Sequence, residues 1–144
     1  MSPKLEFFDT NVLIAATVYE HIHHAACIAR LAQLAAGRGA CSTHSLAEAY
    51  NNLTRHSKGY GRSPADTLRV LEYVHNTFTL VTLTPREMLR TIEGATQLGL
   101  RGAIIYDALL VACARKVGAT AIYTNNVKHF RQVAPDLANR ILEP

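Results

Sequence analysis

What most constrains this chain is an alternation of short apolar runs, bounded by polar turns, with longer stretches of helical periodicity. Leu5 to Phe8, Gly39 to Ser42, Phe78 to Leu83 and Ala121 to Thr124 read as strands, since each is brief and flanked by turn-forming residues. Between them lie helices. His24 to Gly37 carries Ala, Ile and Leu up to a glycine stop, and Ser45 to His56 opens with Ser45 as N-cap and Glu48 at capping-box spacing. Ser63 precedes Pro64 to His75, and Thr84 precedes Pro85, with Glu87 following and a helix to about Leu98. A last helix begins at Tyr106 or Asp107 and stops at Gly118. Unpatterned strands alternating with helices predict an α/β fold: a central, mostly parallel sheet covered on both faces, in three α/β/α layers.

The 144 residues are 49% hydrophobic and 18% charged, which suits one domain spanning 1–144 and excludes a disordered or collagen-like chain. Ser57 to Pro64 punctuates the sequence strongly but reads as a loop. The longest apolar stretches are interrupted by Thr17 and Asp107 and fall short of a membrane span, and the N-terminus lacks a signal-peptide pattern, so a cytoplasmic protein without a membrane partner is expected. Cys27, Cys41 and Cys113 are odd in number and widely spaced, which favours buried thiols over disulfides or zinc. Fifteen Lys and Arg against eleven Asp and Glu give +4, a mild excess that suits a polyanion without requiring one.

In a parallel sheet, ligands bind beyond the carboxyl ends of the strands. The polar residues there are Asp9-Thr10-Asn11, Thr43 and Thr124-Asn125-Asn126. Asp9 follows a strand and precedes Val12 to Ala16, so it is either a helix cap or a catalytic group. Glu48 lies among small and apolar residues, where the capping box is the simplest account. Asp107 sits in Ala103 to Ala112, the most hydrophobic segment, with no Lys or Arg at helical spacing until Arg115. A carboxylate in such surroundings costs several kcal/mol without a partner, so it either caps a helix or binds a cation. These three carboxylates are far apart in the chain, and only the fold can gather them. Oxygen ligands without Cys or paired His suit Mg²⁺ or Mn²⁺, and such ions held by carboxylates can activate water against a phosphodiester.

Four segments carry a resemblance. Phe8 to Ile14, Ser45 to Tyr50, Ile105 to Arg115 and Tyr123 to Phe130 resemble, in order and at matching spacing, the signature blocks of the PIN domain family. The small size is similar to the VapC toxins of type II toxin-antitoxin systems. The resemblance implies a Mg²⁺- or Mn²⁺-dependent endoribonuclease acting on structured or single-stranded RNA such as tRNA or rRNA. It makes Asp9, Glu48 and Asp107 the metal ligands, and Asn126 a fourth catalytic residue in a place usually held by Asp or Asn. It gives Thr10, Asn11, Thr43 and Thr124 supporting roles, which as turn and cap residues they can fill at the same time. It further implies a homodimer and a cognate antitoxin. An RNA-processing nuclease outside a toxin-antitoxin system, and a binding module that does not cut, are the alternatives.

RNA also has to be held. The loop from Arg55 to Arg62 joins Arg55, Lys58 and Arg62 to Tyr60, a mixture suited to phosphate contact and base stacking, or to a solvated turn. Arg101 and Lys128, with His129, stand closer to the expected crevice. The run His21-Ile22-His23-His24 has no zinc-type spacing and reads as a polar helix entrance. A haloacid-dehalogenase-like phosphatase needs a second Asp where Asn11 stands, and no Walker-type glycine loop is present.

Overall fold

The structure is a computed structural model that describes residues 4–144. In chain order it contains β1 (Glu6–Phe8), α1 (Thr10–Thr17), α2 (His24–Ala32), β2 (Gly39–Ser42), α3 (Thr43–Thr54), α4 (Pro64–Thr77) and β3 (Thr79–Val81). Then come α5 (Pro85–Gln97), α6 (Ile104–Lys116), β4 (Ala121–Tyr123), α7 (Val127–Val133), a 3-10 turn (Pro135–Arg140) and β5 (Ile141–Leu142). Among these residues the strands form one sheet in the order β3-β2-β1-β4-β5, with every pairing parallel.

Successive strand side chains point to opposite faces, and this sequence fills both faces with apolar groups. Phe7, level with Ala40 and Ile122, packs with Leu110, Val111 and Phe130 from α6 and α7. Phe8, level with Tyr123, packs with Val12, Cys27, Val74 and Phe78 from α1, α2 and the α4 end. Two cores on one sheet make the three layers. Fully burying each such phenylalanine is worth ~1.5–3 kcal/mol, and neither face could be left to water. The three cysteines are buried and free. No helix among the described residues is long and apolar enough to cross a membrane.

Helix starts follow local chemistry where a real cap exists. The Ser63 hydroxyl accepts from the Asp66 N–H at 3.1 Å with Pro64 in the first turn, and Thr84 and Glu87 form a reciprocal capping box. Two expected starts are corrected. α3 begins at Thr43, not Ser45: β2 runs directly into it, and Ser42, in extended conformation, caps it by accepting from the His44 N–H. Ser45 is thereby carried into the helix, where it is buried, and Glu48 is released from any capping box. α6 begins at Ile104, before Tyr106, so Asp107 lies within its first turn while Ala103 occupies the cap position. α2 ends at Ala32; the chain then turns, and Gly37 takes the left-handed conformation (φ 73°) just before β2. The closing α7 and β5 are too short and mixed to announce themselves in sequence.

Candidate active site

The chain leaves β1 toward β2 on one side, while β4 lies on the other, so the carboxyl ends of β1 and β4 flank the point where connections diverge. Asp9 stands there. It occupies the N-cap position of α1 but makes no side-chain capping bond. Its carboxylate instead accepts from the Thr124 hydroxyl at the end of β4, at 2.8 Å. The same hydroxyl accepts from the Asn126 N–H at 2.9 Å, so one threonine fixes both Asp9 and the backbone of Asn126.

Glu48 arrives on the second turn of α3. The Thr10 hydroxyl donates to it at 3.2 Å and lies 2.7 Å from the Ser45 hydroxyl, a short relay joining α1 to α3 through buried Thr10 and Ser45. His44, one turn before Glu48, places Nε2 3.8 Å from its carboxylate. Asp107 arrives on α6, with His129 Nδ1 4.0 Å away, and that nitrogen lies 2.8 Å from the side-chain amide of Asn126. A cavity of about 660 Å³ opens here, its walls including Glu48, Arg101, Tyr106, Asp107, Asn126 and His129.

The electrostatics follow from this crowding. Asp9 is only 3% exposed, and its pKa is pushed up to about 7. Burial is the main cause; the Thr124 hydrogen bond opposes it, Asp107 and Glu48 add to it by repulsion, and the Asn11 N–H opposes it weakly. Burial also raises Asp107, with His129 opposing and Glu48 reinforcing. A carboxylate whose charge is made costly by burial and, to a lesser degree, by two more carboxylates is the electrostatic condition that a hard cation relieves. The donors are oxygens, which suits Mg²⁺ or Mn²⁺. Among the described residues no three His, Cys, Asp or Glu side chains already converge at ligating distance.

The other predicted residues divide sharply. Asn11 is exposed, and its backbone N–H weakly favours the Asp9 carboxylate without forming a capping hydrogen bond. Thr43 is not gathered into the cavity: its hydroxyl lies 2.6 Å from that of Thr82, in a separate groove with Met88 and Cys113. The Arg55–Arg62 loop joins the far end of α3 to α4 and lines no part of the carboxylate cavity. Its two arginines are engaged by backbone and side-chain acceptors. Arg55 donates to the Lys58 carbonyl and to Asn52, and Arg62 donates to the Thr17 carbonyl at 2.6 Å. Lys58 takes a positive φ of 56°, and Gly59 packs so closely on the Arg55 backbone that a Cβ would not fit. Tyr60 is exposed on this loop. Arg101 does line the cavity, and Lys128 is exposed on the first turn of α7. The sequence marks Ser45 and Tyr106 only as helix starts, and it does not mark His44 or Gln132. His44 and Ser45 lie on the Glu48 face of α3, four and three residues before it, and Tyr106 precedes Asp107, which was the available signal.

The fold and the sequence have known counterparts. The chain is 34% identical over 115 residues, 79% of each chain, to Ribonuclease VapC27 of Mycobacterium tuberculosis (strain ATCC 25618 / H37Rv). Its fold matches Mycobacterium tuberculosis VapC20, a Sarcin-Ricin loop cleaving toxin, with a TM-score of 0.66 at 18% identity, over 81% of this chain and 86% of that one. It likewise matches VapBC-1 from nontypeable Haemophilus influenzae, with a TM-score of 0.66 at 19% identity, over 96% and 97% of the two chains. The PIN domain family model matches residues 7–135, nearly the whole chain, and the chain belongs to the PIN domain family.

Proposed function

We propose that this chain is a VapC-like endoribonuclease dependent on Mg²⁺ or Mn²⁺, the toxin of a type II toxin-antitoxin system, cutting RNA such as tRNA or rRNA. The observation that carries the reading is Asp9: buried, repelled by Asp107 and Glu48, and pushed up to about 7. The name of the 34% identical relative supports the same activity. Asp9, Glu48 and Asp107 would hold the cation. When bound, it would supply Lewis-acid charge to a phosphodiester and lower the pKa of water.

The chain's own residues do the rest. Thr124 aims the Asp9 carboxylate, and Thr10, backed by Ser45, aims Glu48. The Asp9 proton has to leave before the ligand set is fully charged. Arg101 offers charge to a phosphate entering the cavity, and Lys128 stands on the adjoining turn.

The antitoxin and homodimer belong to the same proposal. Tyr19 and Ile22, 83% and 88% exposed, and Leu89 and Ile92 on α5 leave apolar surface that suits protein partners. Incubating the purified protein with RNA in Mg²⁺ and in EDTA tests the activity. Cleavage in Mg²⁺ that EDTA stops supports it, and undiminished cleavage in EDTA refutes the metal role. Intact RNA in both favours a module that binds without cutting.

A further inference from the structure

Tyr106 is 52% exposed at the first turn of α6 and forms part of the cavity wall. Across from it on α3, the exposed His44 ring lies parallel to the Tyr106 ring, with 3° between planes and 5.9 Å between centroids. Tyr106 directly precedes Asp107, and His44 stands one turn before Glu48 with Nε2 3.8 Å from its carboxylate. The two rings are therefore stacked, which leaves Tyr106 as the aromatic surface in the cavity wall, with His44 behind it in the neighbouring groove and two of the three carboxylates alongside. An exposed tyrosine in the wall of a polar cavity gains little for the fold. Its orientation beside His44 reduces the freedom it would lose on stacking against a planar ligand.

We propose that Tyr106, backed by His44, is a stacking shelf for an unpaired nucleobase of the RNA substrate, next to the phosphate that is cut. This rests on the ribonuclease reading above and deepens it by assigning how the substrate is held. The polar groups around the shelf complete a nucleotide site: Arg101 for a phosphate, Gln132 and Asn126 for a base edge. A base inside an A-form helix has both faces covered by its neighbours, so the shelf selects loops, bulges and single strands. The exposed Tyr60 lacks this setting, because its loop lies outside the cavity.

The test uses short single-stranded oligoribonucleotides with 2-aminopurine, whose fluorescence is quenched by stacking, walked along the sequence, and matching oligonucleotides with an abasic position. Fluorescence is read in EDTA with the full-length wild type, Tyr106→Leu and Tyr106→Phe, and cleavage is followed separately in Mg²⁺. Wild type and Tyr106→Phe should quench 2-aminopurine at one position flanking the cut, and an abasic residue there should weaken binding. Tyr106→Leu should lose that quenching and raise KM by roughly 5- to 150-fold, the scale of one base–aromatic stack, with a smaller change in kcat. Its salt dependence should stay that of wild type, whereas Arg101→Ala should lose roughly 0.7 of slope as a phosphate contact would. If wild type cuts RNA but Tyr106→Leu matches it in quenching and KM, the shelf is wrong and the ribonuclease reading stands. If wild type neither binds nor cuts any RNA, both are wrong.

Discussion

Two carboxylates in this molecule are treated in opposite ways. Glu87, on α5, receives the Lys116 ammonium at 2.7 Å and completes the capping box with Thr84, and these contacts pull its pKa down to about 2. Asp9, at the carboxyl end of the central strand β1, has burial and the repulsion of Asp107 and Glu48 against the Thr124 hydroxyl and a weak backbone contact, and it is pushed up to about 7. Glu87 has partners that keep it charged, so it serves the fold. Asp9 has burial and neighbours that make its charge costly, a cost that the proposed cation would offset.

The strongest way to break this contrast is Asp107→Asn, nearly isosteric but neutral. RNA cleavage in Mg²⁺ should fall by roughly a hundredfold to a thousandfold or more, as when a charge-stabilising group is lost from an active site. The metal-free thermal midpoint should equal or exceed wild type, because a source of repulsion is gone. A large drop in midpoint would instead make Asp107 a structural residue like Glu87.

The pH dependence sharpens the same contrast through its sign. Asp9 is raised above its unfolded value, so its contribution is full below about pH 4 and is lost as pH rises toward 7. Between those limits the metal-free protein should lose up to ~4 kcal/mol at that group, less whatever the site relaxes by taking in water. Glu87 is lowered, so its contribution is present above about pH 4 and is lost as pH falls toward 2. Urea denaturation of wild type and Asp9→Asn in EDTA at pH 5 and pH 8 checks this. Asp9→Asn should flatten the loss, and Mg²⁺ should restore wild-type stability at pH 8. Equal slopes for the two proteins would contradict the Asp9 assignment.

Asn126 should show a milder effect. Asn126→Ala removes the contact with His129 but leaves the carboxylates, so cleavage should fall ~10-fold or less. Asn126→Asp adds a charge at the same edge and should tighten Mn²⁺ binding or recruit a second ion. Normal cleavage by Asn126→Ala with unchanged metal affinity in Asn126→Asp would place Asn126 outside the site.

The smallest effect should come from the Arg55–Arg62 loop. Lys58→Glu leaves the turn's own hydrogen bonds to Arg55 in place and should change the salt slope of RNA binding by less than ~0.7. A larger change would return this loop to the RNA-binding surface.

These contrasts also explain what sequence alone could reveal. Thr84, Pro85 and Glu87 spell a helix start, and the chain obeys them because the turn before α5 leaves those groups free to cap. Ser45 and Glu48 have the same spacing yet do something else, because β2 runs straight into α3 and Ser42 takes the cap. Asp107 stood out in sequence because a charge in an apolar segment needs a partner. Asp9 and Asn126 were picked up as polar residues at strand ends. Thr43 and Arg62 have partners, Thr82 and the Thr17 carbonyl, that are set by tertiary neighbours and that no local pattern records. Ser45 reads from sequence only as a cap, and His44 carries no signal of its own, because a face shared with Glu48 matters only once α3 is placed against α1 and α6.

In the proposed function, Asp9, Glu48 and Asp107 hold one cation together. Calorimetric titration of Mn²⁺ into wild type and Asp107→Asn at pH 7, repeated in buffers of different ionisation enthalpy, tests it most directly. The prediction is saturable binding by wild type, with proton release as the Asp9 carboxyl ionises, and binding weakened by at least ~10-fold in Asp107→Asn. Equal affinity in the two proteins, with no proton released, would contradict it.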